Sequence, residues 1–208
     1  ERMLMNNKKV IKIKKKNKNK VIEINGKKEL NHLKIKICGD PSSAAFFCAL
    51  AMIKKGSYLK ILNVGINSTR VGFYQLLSKF GAKIKFINSK IENNEIFADI
   101  IIYHSKLKPL KASREYYVKA TDEYPILFVI AALTKGVSIF KGIDDLANKE
   151  SNRILEMQKI LKQVGVKSKF SSSSLKIFGK GFFDASNKKV LVKNLGDHRI
   201  CMSAFILA

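Results

Sequence analysis

The chain has 208 residues, 46% of them apolar, which suits one globular domain or a little more, with a core of its own. No run of about 18 apolar residues occurs, so a membrane-spanning helix is excluded, and no secretory signal opens the chain. The net charge of +24 rests on lysine, with arginine only at positions 2, 70, 114, 153 and 199; this reads as lysine-loaded exposed faces rather than as a nucleic-acid surface, which usually enlists the bidentate arginine fork.

In chain order, residues 12–20 form the most basic run, an Asn/Lys centre flanked by alternating Val10-Ile11 and Val21-Ile22-Glu23-Ile24. That pattern predicts a hairpin with a solvated turn, and Asn25-Gly26 a further turn. Residues 34–38 alternate like a strand. Gly39-Asp40-Pro41-Ser42-Ser43 then signals a helix start, and residues 44–53 read as a buried helix ended by Lys55-Gly56. A strand is predicted over 58–64. Ser68-Thr69-Arg70 opens a second helix, with apolar residues at 71, 73, 76, 77 and 80, and Gly81 caps it. Strands follow over 83–87 and 96–103. The pattern then recurs: a strand over 116–120, a buried helix over 125–133 begun by Thr121-Asp122-Glu123, and a strand over 137–140. A helix opened by residues 149–153 and capped by Gly165 comes next, with strands over 166–170 and 175–178. A third round begins with a strand over 190–193 and a helix over 200–207 opened by Asp197.

Equivalent residues are evenly spaced: 82 residues from Asp40 to Asp122, 80 from Gly56 to Gly136, 83 from Arg70 to Arg153, 84 from Gly81 to Gly165 and 75 from Asp122 to Asp197. A unit of strand, helix, strand, helix and two strands recurring about every 80 residues sets the architecture more firmly than local propensity does. The first helix of each unit is apolar nearly all round, so it should be buried with sheets packed outside it. The expected class is α/β (α+β), with about two and a fraction units. The chain opens on Glu1 and stops inside the apolar run 205–208, so a fragment of a longer protein is expected.

Candidate chemistry gathers at the helix starts. Their free N–H groups and the helix dipole favour anions, which makes Asp40, Asp122 and Asp197 ordinary helix-start residues worth about 1 kcal/mol each. Arginine there is disfavoured by about 0.3–1 kcal/mol, yet Arg153 and Arg199 both stand in first turns. An exposed pair of Arg153 with Glu150 and a solvated His198-Arg199 loop are the plain explanations. Two arginines misplaced in equivalent units point instead to a clamp for phosphate or carboxylate. Cys38, Cys48 and Cys201 lie far apart without CxxC spacing and read as reduced core thiols. His32, His104 and His198 have no metal-ligand spacing, so no metal is expected.

Four segments carry a resemblance: residues 39–46 (GDPSSAAF), the Asn67-Ser68-Thr69-Arg70 turn, residues 121–125 (TDEYP) with 149–153 (KESNR), and residues 196–200 (GDHRI). In order and spacing they resemble the EPSP synthase branch of the enolpyruvyl transferase family. The resemblance implies an inside-out α/β barrel, a β-prism-like lobe of β-α-β-α-β-β units with buried helices. Residues 1–33 would end the N-terminal lobe, and 34–208 would be a C-terminal lobe cut short. It implies transfer of the enolpyruvyl group of phosphoenolpyruvate to the 5-hydroxyl of shikimate 3-phosphate, without cofactor or metal. Asp122 would contact the acceptor's hydroxyls and act as base, Lys149 would face the acceptor and the reacting centre, and Glu150 would handle the proton at the methylene carbon. Arg153 and Arg199, with Lys149, would grip phosphoenolpyruvate, and His198 would orient the cluster.

Asn152 departs from the family, which usually has Asp there; a helix-start effect rather than lost chemistry is expected. The N-terminal lobe's own contacts, and a late lysine that would fall beyond Ala208, are missing, so the piece alone should be inactive. A cytoplasmic protein, monomeric when complete and bound to neither nucleic acid nor membrane, is implied. The competing readings are the sister transferase acting on UDP-N-acetylglucosamine and a basic nucleic-acid-binding protein.

Overall fold

The computed structural model describes residues 4, 10–17, 19–32, 34–182, 189–193 and 196–208. Strands β1 (Ile11–Lys16) and β2 (Asn19–Ile24) form the basic hairpin, with Asn17 in the left-handed region at its turn. Helix α1 (Pro41–Ile53) starts where the sequence signals it. Asp40 accepts from the backbone N–H of Ser42 and Ser43, and Pro41 sits where an N–H would have no partner. After it come β3 (Tyr58–Gly65), α2 (Gly72–Lys79), β4 (Lys83–Glu92) and β5 (Glu95–Tyr103). The next stretch holds β6 (Lys111–Ala112), α3 (Arg114–Ala120), a 3-10 turn (Thr121–Glu123), α4 (Tyr124–Ala132) and β7 (Gly136–Lys141). It continues through a second 3-10 turn (Asp144–Asn148) into α5 (Arg153–Gln163), β8 (Lys167–Ser171) and β9 (Ser174–Gly179), and α6 (His198–Leu207) follows.

The two larger sheets are built alike. One has the order β3-β5-β4 and the other β6-β7-β9-β8. In each, the last strand lies between the strand before it, its hairpin partner, and the strand that follows the buried helix, and pairs antiparallel with both. The strand before the buried helix joins in parallel: β6 beside β7 in the second sheet, and a single Gly39–Val64 bridge in the first. Parallel neighbours need a crossover, which the buried helix supplies.

The core lies among these helices and the inner faces of both sheets. All nine residues of α4 are buried, and α1, α4 and α6 pack on one another. Tyr124, Phe128 and Phe140 meet edge to face with ring centres 5.0–5.9 Å apart. Gly179 lets β9 press on the end of α4, because a side chain there would collide with the carbonyls of Ala131 and Thr134. Burial of α1 is incomplete: Phe47 and Leu50 remain exposed, as does Phe205 of α6. Among the described residues, no helix is long and apolar enough to cross a membrane. Cys48 is buried, its thiol pushed up to about 12 by desolvation. Cys201 is exposed rather than a core thiol.

Three expected strands are corrected. Residues 34–38 form no ladder among the described residues; β3 reaches only the next residue, through the Gly39 bridge to Val64. The segment 116–120 is the helix α3, not a strand. The alternation of its apolar residues is outweighed by a Glu115–Lys119 pair at i, i+4, 2.9 Å long, and by packing of α3 on α2. At their contact, a Cβ on Gly72 would come within 2.7 Å of Lys119 Cβ, so only glycine lets the two helices meet. Residues 190–193 pair with no strand among the described residues. Leu191 instead gives its N–H and takes a hydrogen bond through the side-chain amide of Gln163, at 2.8 and 3.0 Å.

Candidate active site

Three helix starts converge. Asp122 lies in the 3-10 turn that feeds α4, Arg153 opens α5, and Asp197 and Arg199 open α6. Asp122 makes no capping bond of its own. Its carboxylate bridges two guanidiniums, Oδ1 accepting from Arg153 Nη1 and Oδ2 from Arg199 Nη2, each at 3.3 Å. Arg153 is buried, its side chain 1% exposed, and it meets three carboxylates in all. Its Nε donates to Asp197 at 2.9 Å and its Nη2 to Glu150 at 2.6 Å. The first-turn position that the helix dipole disfavours is thereby compensated.

Asp197 anchors the group from below. Fully buried, it accepts from Arg153, from the Ser151 hydroxyl at 2.8 Å and from the Arg199 N–H at 3.1 Å. Burial acts to raise its carboxyl, but the hydrogen bonds from Arg153 and Ser151 outweigh this and hold it below the ordinary carboxylate value. Asn152 caps α5, accepting from the Leu155 N–H at 3.0 Å, so it does occupy a helix-start role.

Asp122, Glu150, Arg153 and Arg199 are thus joined in one network. Lys149 is not part of it: its ammonium pairs with Asp145 at 3.0 Å. His198 is the exposed first residue of α6 and makes no hydrogen bond to the cluster. The first unit's helix starts meet in the same manner but more simply, with Arg70 donating to the Ser42 hydroxyl at 3.0 Å near Asp40. A cavity of about 220 Å³ opens here, lined by Ser42, Arg70, Thr121, Asp122 and Glu123 among others. A larger hollow of about 790 Å³ runs along α5 and β8, but none of the clustered residues lines it.

Asp197 is the helix cap that its position in the sequence implies, but it also holds Arg153, and Glu123 has no sequence feature that sets it apart from Asp122. Glu123 is buried, and one of its oxygens has no partner; neither has Nη1 of Arg199. Burial, and then the neighbouring Asp122, push the Glu123 carboxyl above its ordinary value against the pull of Ser42, Arg199 and Arg70. The folded chain therefore holds this proton more tightly than the unfolded one. Stability is lost as pH rises through the unfolded value near 4.5 toward the folded one, and the full cost is present above both. Glu123→Gln should raise Tm at pH 8, at about 2–4 °C per kcal/mol recovered, and leave it unchanged near pH 4. Calorimetry at the two pH values checks this; an equal gain at both would contradict it.

The EPSP synthase (3-phosphoshikimate 1-carboxyvinyltransferase) family model matches residues 1–208. The chain belongs to that family. Similar EPSP synthase relatives include a 3-phosphoshikimate 1-carboxyvinyltransferase of Sphingopyxis alaskensis, 38% identical over 182 residues, covering 88% of this chain and 41% of that protein. One from Dichelobacter nodosus is 36% identical over 186 residues, covering 89% and 42%. The solved EPSP synthase of Acinetobacter baumannii superposes with a TM-score of 0.84 at 34% identity, over 99% of this chain and 46% of that one. The enolpyruvyl transferase NikO of Streptomyces tendae, at 15% identity and a TM-score of 0.60, shares the fold. The chain spans about two fifths of the length of the curated EPSP synthase relatives it matches. The sister transferase and the nucleic-acid reading are not favoured by these matches.

Proposed function

We propose that this chain is the C-terminal-lobe part of an enzyme that transfers the enolpyruvyl group of phosphoenolpyruvate to the 5-hydroxyl of shikimate 3-phosphate and releases phosphate. Family membership supports the reaction. The observation that carries the site is the Asp122 carboxylate shared between two arginines of two different helix starts. In this reading Asp122 removes the 5-hydroxyl proton while that oxygen attacks C2 of phosphoenolpyruvate, and Glu150 delivers a proton to C3. The tetrahedral intermediate then loses phosphate and a C3 proton to give the enol ether. Asp122 and Glu150 differ in their surroundings, since Asp122 takes two long bonds and Glu150 one short one, and such differences separate the duties of two carboxyls. Arg153, Arg199 and Lys149 grip phosphoenolpyruvate, and Lys149 and Asp122 hold the acceptor. The unpartnered Nη1 of Arg199 is a donor suited to an anion.

Three carboxylates, Asp122, Glu150 and Asp197, stand against two guanidiniums in the network. That balance does not suffice for two anionic substrates, so the remaining cations come from a second lobe across a cleft and the chain alone is inactive. Residues 1–33 are the end of that N-terminal lobe and 34–208 a C-terminal lobe of about two and a fraction β-α-β-α-β-β units wrapped as an inside-out barrel. Exposed Phe47 of α1 and Phe205 of α6 mark where the rest of the third unit would pack. The enzyme works in the cytoplasm as a monomer, on small anions, without cofactor, metal or nucleic acid. Phosphate release by the complete two-lobe protein, requiring both phosphoenolpyruvate and shikimate 3-phosphate, is the expected result. Release that ignores the shikimate substrate, or activity only with UDP-N-acetylglucosamine, would overturn it.

A further inference from the structure

Lys149 stands apart from the network, yet it is not loose. Its ammonium is 3.0 Å from Asp145 Oδ2, and the same oxygen accepts a 2.8 Å hydrogen bond from the Tyr117 hydroxyl. Tyr117 is itself fixed. It is 7% exposed, and its ring meets that of Tyr124 edge to face at 5.3 Å. Its carbonyl accepts from the Thr121 hydroxyl at 2.9 Å. Thr121 and Tyr124 flank Asp122 on either side. A continuous path of packed and hydrogen-bonded groups therefore runs from the turn that carries Asp122, through Tyr117 and Asp145, to Lys149.

An exposed lysine–carboxylate pair four residues apart is ordinarily weak, because two flexible side chains must be held in one geometry. Here the carboxylate is held by a phenol that belongs to the core. The Asp145 carboxyl lies below its ordinary value, chiefly through the Lys149 hydrogen bond and next through that of Tyr117. The Tyr117 hydroxyl is pushed up by burial and then by Asp145.

We propose that Asp145 and Tyr117 are positioning residues for enolpyruvyl transfer, fixing the Lys149 ammonium in register with the Asp122 turn. The proposal rests on the transfer reaction above. It gives α3 a purpose in the site: the helix brings Tyr117 beneath a loop that would otherwise hold Lys149 by a surface pair alone. Tyr117 acts only through Asp145, so the two should not contribute independently.

Two experiments test it. In the 208-residue chain, the Asp145 carboxyl carbon is followed by NMR through its acid titration. Tyr117→Phe should bring that titration to higher pH, and an unmoved curve would refute the contact. In the complete enzyme, Asp145→Asn should lower kcat/KM for shikimate 3-phosphate by about 10–100-fold, the scale on which a small misplacement acts, with Tm unchanged. Asp145→Glu, which keeps the carboxylate, should recover most of the loss. Tyr117→Phe should cost less and add nothing in the Asp145→Asn background. Full activity in Asp145→Asn, or additive losses in the double variant, would overturn the proposal. A wild-type enzyme without transferase activity would overturn the reaction, and with it the catalytic half of the proposal, while the NMR titration still decides the contact.

Discussion

Asp197→Asn is expected to destabilise the chain by about 3 kcal/mol, a large part of the 5–15 kcal/mol that holds a typical domain together. The substitution keeps the side chain's shape and its ability to cap α6 through the Arg199 N–H. What it removes is the negative charge against the buried Arg153 guanidinium, which is 2.9 Å away and cannot move into water without opening the start of α5. Arg153 keeps Glu150 and Asp122, both nearer the surface, with side chains 53% and 40% exposed, so the loss falls at the lower end for a broken buried pair. Asp197→Ala should cost about 1 kcal/mol more, because the cap goes as well. Urea unfolding of the three chains gives the comparison. A loss below about 1 kcal/mol for Asp197→Asn would mean that Arg153 does not depend on this carboxylate.

Asp122→Asn should have a different signature. The Asp122 side chain is 40% exposed, and its two bonds to arginine are long, so little folding energy rests on it. Its proposed work is proton removal, and loss of a positioned base costs about 10²–10⁴-fold in turnover. In the complete protein, kcat for phosphate release should fall on that scale while Tm stays within a few degrees of wild type. Steady-state kinetics beside thermal unfolding separates the two effects. Near-normal turnover would remove Asp122 from the role of base, and a collapse of Tm would show that its part is structural.

The helices at the centre of the fold were legible because their signals are local and strong. Asp40-Pro41 and Asp197 cap as their residue types demand, and the all-apolar run of α4 has nowhere to go but inside. The misread segment 116–120 shows the opposite case. Its Tyr-Tyr-Val run alternates enough to suggest a strand, and part of what favours the helix, the close fit of Lys119 against Gly72 of α2, is a contact between residues far apart in sequence. The site divided in the same way. Arg153 and Arg199 drew notice because they break a dipole rule. Asp197 obeys one, so nothing in its position announced that it also holds Arg153. Glu123 was hidden for a related reason: beside Asp122 it reads as one more first-turn acid, and only its burial sets it apart. The resemblance groups Lys149 with the cluster, whereas in the folded chain its ammonium pairs with Asp145 of the second 3-10 turn, a partner that nothing in the sequence singles out.

In the proposed function the network around Asp122 and Arg153 faces both substrates. A crystal structure of the complete two-lobe protein with shikimate 3-phosphate and phosphoenolpyruvate bound tests it most directly. The acceptor's 5-hydroxyl should lie within about 2.6–3.2 Å of an Asp122 oxygen, with Arg199 Nη1 donating to phosphoenolpyruvate. Substrates bound away from the three helix starts, with Asp122 still bridging its two arginines and touching neither ligand, would contradict it.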